Sequence, residues 1–236
     1  DAATTAERAA VLSPQHLALV RDDLAALKPM PAVYLPKYVR RLRGEHVKPA
    51  RWGLRRLGEA LRDDIRRFKR DEGLARAVCV WCGSTEVHQP IAPVHRSVAA
   101  FERGLDADDA DISPSMVYAW ACLREGVPFA NGAPNLTLEA PALVELAREL
   151  RVPIAGRDFK TGQTWMKTVL APALAARQLG VRGWFSTNIL GNRDGEVLDD
   201  PEAFRTKESS KLGVLEELLD GCRQPELYGD LFHKVR

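Results

Sequence analysis

Four short apolar runs, at 77–82, 127–130, 152–155 and 181–187, alternate with segments whose apolar residues recur at helical spacing. Runs of this length bounded by turn residues suit strands buried on both faces. Strands separated by helices pair in parallel, because the crossover is long enough to return the chain to the same end of the sheet. The alternation therefore predicts an α/β fold, a doubly wound parallel sheet with helices on both faces.

The helix signals agree. Ser13-Pro14 places a capping hydroxyl before a proline whose missing N–H costs nothing in a first turn. Leu17, Val20, Leu24 and Leu27 follow at helical spacing, until Pro29 and Pro31 end the run. After a proline-rich connection over 29–50, a basic helix is expected at about 51–70, with Leu54, Leu57, Leu61, Ile65 and Phe68 on one face. Further helices are expected at 93–103, from Ser113-Pro114 to about 125, from Pro141 to 150, at 161–179 and at 207–220. The first ten residues carry no assigned element. Residues 188–196 read as a polar loop, and the last six, LFHKVR, as an approach to a strand not completed within the chain.

The bulk properties exclude more than they assign. The chain has 236 residues, 45% hydrophobic and 28% charged, with a net charge of +2, an ordinary balance for globular domains. No apolar run is long enough to span a bilayer, and residues 1–10 lack the basic start and apolar core of a signal peptide. Four cysteines without a regular framework point to a reducing compartment, the cytoplasm. The basic stretch from Arg40 to Arg70 is interrupted by Glu45, Glu59, Asp63 and Asp64, so a solvated helix face is favoured over a nucleic-acid surface. Neither nucleic acid nor membrane is an expected partner.

In parallel sheets of this kind, ligands bind beyond the carboxyl ends of the strands. Gly83-Ser84-Thr85-Glu86 follows the first run, Asn131-Gly132 the second, 156–164 the third, and Asn188 the fourth, with Asn192 and Asp194 beyond it. Small and polar groups thus gather at successive strand ends, which points to one site built from several loops. Thr161, Gly162, Gln163 and Thr164 lie where a loop becomes a helix. Free N–H groups and the helix dipole there favour an anion, and Lys160 and Lys167 can reach the same side. Lys207 and Lys211 share a helix face, where neighbouring ammonium groups tune each other for acid–base work or for holding an oxyanion. Taken alone, each feature is also compatible with a helix cap or a solvated helix turn.

Three weaker signals have plainer readings. Cys79 and Cys82, with His88 and His95 downstream, have the look of a zinc set, but the pair lies in a strand-like run and reads as buried thiols, so no metal site is expected. Trp52, Trp120 and Trp184 fall within apolar patterns and read as core.

Longer motifs narrow the choice. GVPFANGAPNLT at 126–137, GRDFKTGQTWMKTVLAP at 156–172 and STNILGNRDGEVLDDPEAFRTKESSK at 186–211 resemble the inositol-3-phosphate synthase family. VCVWCGSTE at 78–86 and DISPSMVYAWACLREGVP at 111–128 are similar to it as well. The resemblance covers essentially the whole chain. It implies a Rossmann-type NAD-binding domain over 1–158 and, from 159 to 236, the start of an inserted α+β catalytic and tetramerisation domain. It implies NAD as cofactor, D-glucose 6-phosphate as substrate and a net isomerisation to an inositol phosphate, for inositol and phospholipid biosynthesis.

The resemblance also implies roles. Ser84, Thr85, Asn131 and Gly132 resemble cofactor contacts, and Asp158 an acidic residue beside the nicotinamide and the reacting carbon. Lys160, Thr161, Gly162, Gln163 and Thr164 resemble the phosphate cradle, and Lys167, Asn188 and Leu190 further substrate-pocket residues. Lys207 and Lys211 resemble the catalytic lysines. Arg157 departs from the acidic residue common in the family. The family's glycine-rich loop is absent from these residues, which implies a chain inactive by itself. An NAD-dependent sugar-phosphate dehydrogenase, a non-catalytic remnant and a nucleic-acid binder are the alternatives.

Overall fold

The computed structural model describes the chain apart from residues 11, 50, 160, 161, 191–193, 220–227 and 236, and apart from the side chains of 188, 190, 228 and 230–235. In chain order the elements are α1 (Ala2–Ala9), α2 (Pro14–Ala26), α3 (Leu54–Asp71), β1 (Cys79–Trp81), a 3-10 turn (Pro93–His95), α4 (Val98–Asp106), α5 (Pro114–Arg124), β2 (Phe129–Asn131), α6 (Pro141–Leu150), β3 (Ile154–Gly156), α7 (Gln163–Ala176), β4 (Gly183–Leu190), α8 (Asp194–Leu198), α9 (Pro201–Leu219) and β5 (Tyr228–Val235).

The alternation of strand and helix is realised as expected, with one correction to the sheet. β1, β2 and β3 form a three-stranded parallel sheet in sequence order, with Trp81 opposite Asn131 and Asn131 opposite Gly156. β4 does not join it. β4 pairs in parallel with β5 in a second sheet, in register from Gly183 with Tyr228 to Leu190 with Val235. The fourth run, more polar than the other three with Arg182, Ser186 and Thr187, goes where its partner at the far end of the chain takes it. Residues 231–235 therefore do lie in a strand.

Boundaries differ for identifiable reasons. α9 begins at Pro201, six residues before the expected start, because Asp200-Pro201 is a helix opening of the same kind as Ser13-Pro14. The Asp200 carboxylate accepts the Glu202 N–H at 3.0 Å. Lys207 and Lys211 thus sit mid-helix. α1 is capped by Asp1, which accepts the Thr4 N–H at 2.9 Å, and α8 lies where a loop was expected. The expected helix at 93–103 divides into the 3-10 turn and α4.

Two apolar cores result. The larger is built by α3, α4, α5 and α6 against β1 and β2, around Phe101, Trp120, Leu123, Phe129, Leu143 and Leu146. The smaller gathers Ala171, Val181, Leu215 and Leu219, flanked by Leu174, Trp184 and Leu218. Of the three tryptophans assigned to the core, Trp120 is fully buried, whereas Trp52 and Trp184 are half-buried at core margins. The α3 arginines are held locally: Arg62 and Arg66 both reach Glu125 at 2.7 Å, and Arg55 reaches Asp106 at 2.7 Å. Arg56 stacks over the Trp52 ring. A paired face of this kind offers fewer free charges to a polyanion. No helix among the described residues is long and apolar enough to cross a membrane.

Candidate active site

The carboxyl ends of β1, β2 and β3 open onto a cavity of about 420 Å³. Its walls come from the turn after β1 (Cys82 to Thr85), the turn after β2 (Gly132 to Pro134), Asp158 and Phe159 after β3, the start of α7 (Gly162, Gln163), Asp194 of α8, and Lys207 and Lys211 of α9. Close backbone approach shapes it. A Cβ on Gly132 would stand 2.5 Å from the Phe159 ring and 2.9 Å from the Trp81 carbonyl oxygen, and one on Gly83 would stand 2.5 Å from the Trp81 ring. Gly162 holds φ 55°, ψ −121°, a conformation open to glycine, and no side chain caps α7 behind it. The start of α7 thus lies at the cavity rim.

Asp158 is the centre of charge. Lys207 Nζ donates to its Oδ1 at 3.2 Å, and Ser210 Oγ donates to its Oδ2 at 3.0 Å. The Lys211 ammonium lies 3.0 Å from Oδ2. Residues 207, 210 and 211 fall on one face of α9, so a single helix delivers all three to one carboxylate. Asp158 itself has φ 61°, left-handed backbone uncommon for a non-glycine residue, and its N–H donates to the Ala133 carbonyl at 3.0 Å. The spacing of the lysines foretold a shared face, but not the carboxylate that separates them. Two cations that would repel are bridged by one anion, and Asp194 brings a second carboxylate to the cavity wall.

The remaining expected residues divide into three groups. Ser84, Thr85, Gly132, Gly162 and Gln163 line the cavity. Asn131, Thr164 and Lys167 lie behind its wall. Asn131 donates to the Asn135 carbonyl at 2.8 Å and accepts the Ala133 N–H at 3.1 Å, and so shapes its own turn. Lys167 is fully buried; its ammonium donates to the Lys211 carbonyl at 2.7 Å and to Gln163 Oε1 at 3.2 Å, tying α7 to α9. The Thr164 hydroxyl is buried and has no hydrogen-bond partner among the described residues. Lys160 and Thr161 lie outside the described residues, as does Asn192. Asn188 and Leu190 end β4, with their side chains outside the description.

Other polar residues support the rim. Arg157 forms an ion pair with Glu139 at 3.3 Å and donates to Ser209 Oγ at 3.4 Å, so it faces α9. The His88 imidazole is held below its usual range by burial, then by the nearby Arg205 and Arg157 charges, and so is neutral at physiological pH. Cys82 falls just past the strand end and is exposed at the cavity, not buried as expected, while Cys79 is half-buried. His95 is buried with both ring nitrogens engaged by backbone, Nδ1 accepting from Ala92 and Nε2 donating to the Asp111 carbonyl. Among the described residues no group of three or more metal-ligating side chains converges.

Sequence reasoning counted Glu86 in the polar turn after the first run but gave it no role. Burial pushes its carboxyl above the usual range, while hydrogen bonds from Ser115 and Ser113 pull the other way. Ser113 does occupy the N-cap of α5, but its hydroxyl caps nothing. The Glu86 carboxylate, distant in sequence, accepts the Ser115 N–H instead. The only sequence signal was a carboxylate within a turn otherwise made of small residues.

Comparison with known proteins agrees with this architecture. A family model of NAD binding, described as myo-inositol-1-phosphate synthase, matches residues 1–219. Inositol-3-phosphate synthase 1 of Bacteroides thetaiotaomicron is 51% identical over 231 residues, covering 97% of this chain and 53% of that protein. Inositol-3-phosphate synthase 1 of rice, Oryza sativa subsp. japonica, is 36% identical over 90% of this chain and 42% of its own length. The crystal structure of inositol-3-phosphate synthase from Caenorhabditis elegans superposes with a TM-score of 0.86 at 27% identity, over 98% of this chain and 47% of that one. A myo-inositol-1-phosphate synthase-related protein of Thermotoga maritima shares the fold, with a TM-score of 0.68 at 21% identity. The chain thus spans about half the length of the curated relatives it matches. Motifs, parallel sheet and superposition converge: the chain belongs to the myo-inositol-1-phosphate synthase family.

Proposed function

We propose that this chain forms the cofactor-binding half, and part of the catalytic half, of an inositol-3-phosphate synthase that isomerises D-glucose 6-phosphate to 1D-myo-inositol 3-phosphate. The observation that carries the reading is Asp158 bridging Lys207 and Lys211 in a cavity that Ser84, Thr85 and Gly132 also line. Around Gly83 and Gly132, space that a Cβ would fill is left to the backbone, which suits a dinucleotide lying close against the strand ends. In this reading Ser84, Thr85 and Gly132 hold NAD, Asn131 shapes their turn, and Asp158 faces both cofactor and substrate. When bound, NAD supplies a reversible hydride acceptor at C5 of the sugar.

The chain's own residues handle protons and charge. Gly162 and Gln163, with Thr161 and Lys160, receive the phosphate through N–H groups and positive charge, and Thr164 supports them from behind. Asn188 and Leu190 border the sugar. Lys207 and Lys211 neutralise the oxygens on which charge develops and move the proton that leaves C6 when that carbon attacks C1. Asp158 keeps both ammonium groups aimed at one place, and Lys167 fixes the backbone beneath Lys211. The net reaction neither consumes nor releases reducing equivalents, which separates it from a sugar-phosphate dehydrogenase.

We place the boundary between the two functional parts at 158/159, so that the cavity lies at their junction. A cytoplasmic homotetramer is the expected state of the longer protein. The test is phosphorus NMR of glucose 6-phosphate and NAD with the full-length protein that contains this chain. An inositol phosphate resonance without net NADH, lost in Lys207→Ala, is the expected result. Accumulation of NADH would turn the reading to a dehydrogenase, and NAD binding without conversion would turn it to a non-catalytic remnant.

A further inference from the structure

Glu86 has no part in the chemistry above, yet its carboxylate is buried and both of its oxygens are held. We infer that Glu86 is a positioning residue for cofactor binding: clamped to the first turn of α5, it holds the Ser84–Thr85 turn in the shape that receives the dinucleotide. The inference rests on the NAD reading of that turn. Glu86 is 4% exposed. Its Oε1 accepts the Ser115 N–H at 2.8 Å and its Oε2 accepts the Ser115 hydroxyl at 2.7 Å. Thr137 donates to that same hydroxyl at 2.6 Å, which orients its proton toward Glu86. The backbone around Glu86 is held from the opposite side. Its N–H donates to Asn135 Oδ1 at 2.8 Å, and Asn135 Nδ2 donates to the Ser84 carbonyl at 3.4 Å.

The turn is therefore tied both to α5 and to the segment after β2. Asn135 grips main chain, as does the Tyr38 carbonyl, which accepts the Val87 N–H at 3.0 Å. The Glu86 side chain adds the tie from the turn to the helix that forms the centre of the larger core. This placement matters because Gly83 and Ser84 border two cavities at once, the 420 Å³ site and an adjoining cleft of about 780 Å³. A small pivot there would alter both walls. A simple helix cap would need only the Ser115 N–H contact, whereas the second oxygen and the ordered hydroxyl relay fix the direction of the carboxylate as well.

The experiment uses the full-length protein carrying Glu86→Ala and Glu86→Gln, with NAD affinity by titration calorimetry, steady-state constants for both ligands, and the thermal midpoint. Truncation to alanine is expected to raise the NAD Kd and the KM for NAD about tenfold, by leaving buried donors unpaired and the turn loose. The kcat at saturating NAD and the KM for glucose 6-phosphate should stay within about twofold. Glutamine, which can accept the N–H and donate to the Ser115 hydroxyl, should return NAD binding to within about twofold of wild type. Unchanged NAD affinity in a folded Glu86→Ala protein overturns the proposal. So does a parallel loss in both ligands, in kcat and in midpoint, unrescued by glutamine, since that marks a structural cap. Should the alanine variant fail to fold, Ser115→Ala removes one clamp bond, and its NAD Kd should rise about threefold with kcat unmoved; no rise overturns the proposal. Wild-type protein that binds no NAD sinks the parent reading itself, independently of any variant.

Discussion

The two cores make opposite use of their apolar residues. Around α5 the chain closes on itself: Trp120, Leu123 and Leu143 are fully enclosed, and Pro114 to Leu123 is buried at nearly every position. Around α7 and β4 it does not. Ala171 and Leu215 are buried, but Trp165, Val169, Phe185 and Ile189 are each at least 50% exposed, and Phe185 and Ile189 share one face of β4. Buried polar and charged groups occur beside both cores: Lys48, Asp64, Glu86 and His95 near the larger, and Lys167, Ser210 and Lys211 near the smaller, with Asp158 between them. The two lysines of the candidate site thus lie on α9, beside the smaller and more open core. Burial of charge is tolerated where each ion meets a partner.

The comparison can be broken in several ways. The largest effect expected is on turnover. Lys207→Ala in the full-length protein should lower it by about a thousandfold, with an unchanged thermal midpoint, because Lys211 and Ser210 still satisfy Asp158. A midpoint that falls with activity would make Lys207 structural as well. Next, Leu143→Ala in the closed core should cost about 3 kcal/mol in urea unfolding, and Leu215→Ala in the small core distinctly less, since fewer neighbours hold that cavity open. Equal costs would erase the distinction between the cores.

A subtler effect is expected with pH. Burial alone would raise the Glu125 carboxyl, but hydrogen bonds from Arg66 and Arg62 outweigh it and hold it below the usual range. Its contribution is present above the ordinary carboxylate pKa and is lost as pH falls through the depressed value. Glu86, raised by burial, acts in the opposite sense, favouring the fold on the acid side and losing that contribution as pH rises. Glu125→Gln should therefore flatten the acid limb of a stability-against-pH curve; an unaltered limb would assign acid sensitivity elsewhere. The smallest effect is expected at Ile189. In the 236-residue chain, Ile189→Ser should change stability by less than about 0.5 kcal/mol in the same urea assay. A larger loss would mean that this face is already covered.

Much of the site was legible because it is local in sequence. Turn residues at strand ends, the Gly162–Gln163 loop and the i, i+4 lysines all lie within short windows, where spacing maps onto geometry. Most of the failures at the site were non-local. Asp158 and Lys207 are 49 residues apart, and Glu86 and Ser115 are 29 apart, so no window contained either pair. The β4 run was assigned to the wrong sheet because its partner lies at 228–235. The early start of α9 was local and readable, since Asp200-Pro201 repeats a signal found elsewhere in the chain.

The sequence by itself determined the alternation of strand and helix, the strand-end location of the small and polar residues, and the shared face of Lys207 and Lys211. Each follows from backbone periodicity and the chemistry of single residues. Only the tertiary structure decided which strands share a sheet, which carboxylate stands between the lysines, and which side chain caps α5. Those outcomes depend on chain closure over tens of residues, where the burial of one group sets the partner that another must find.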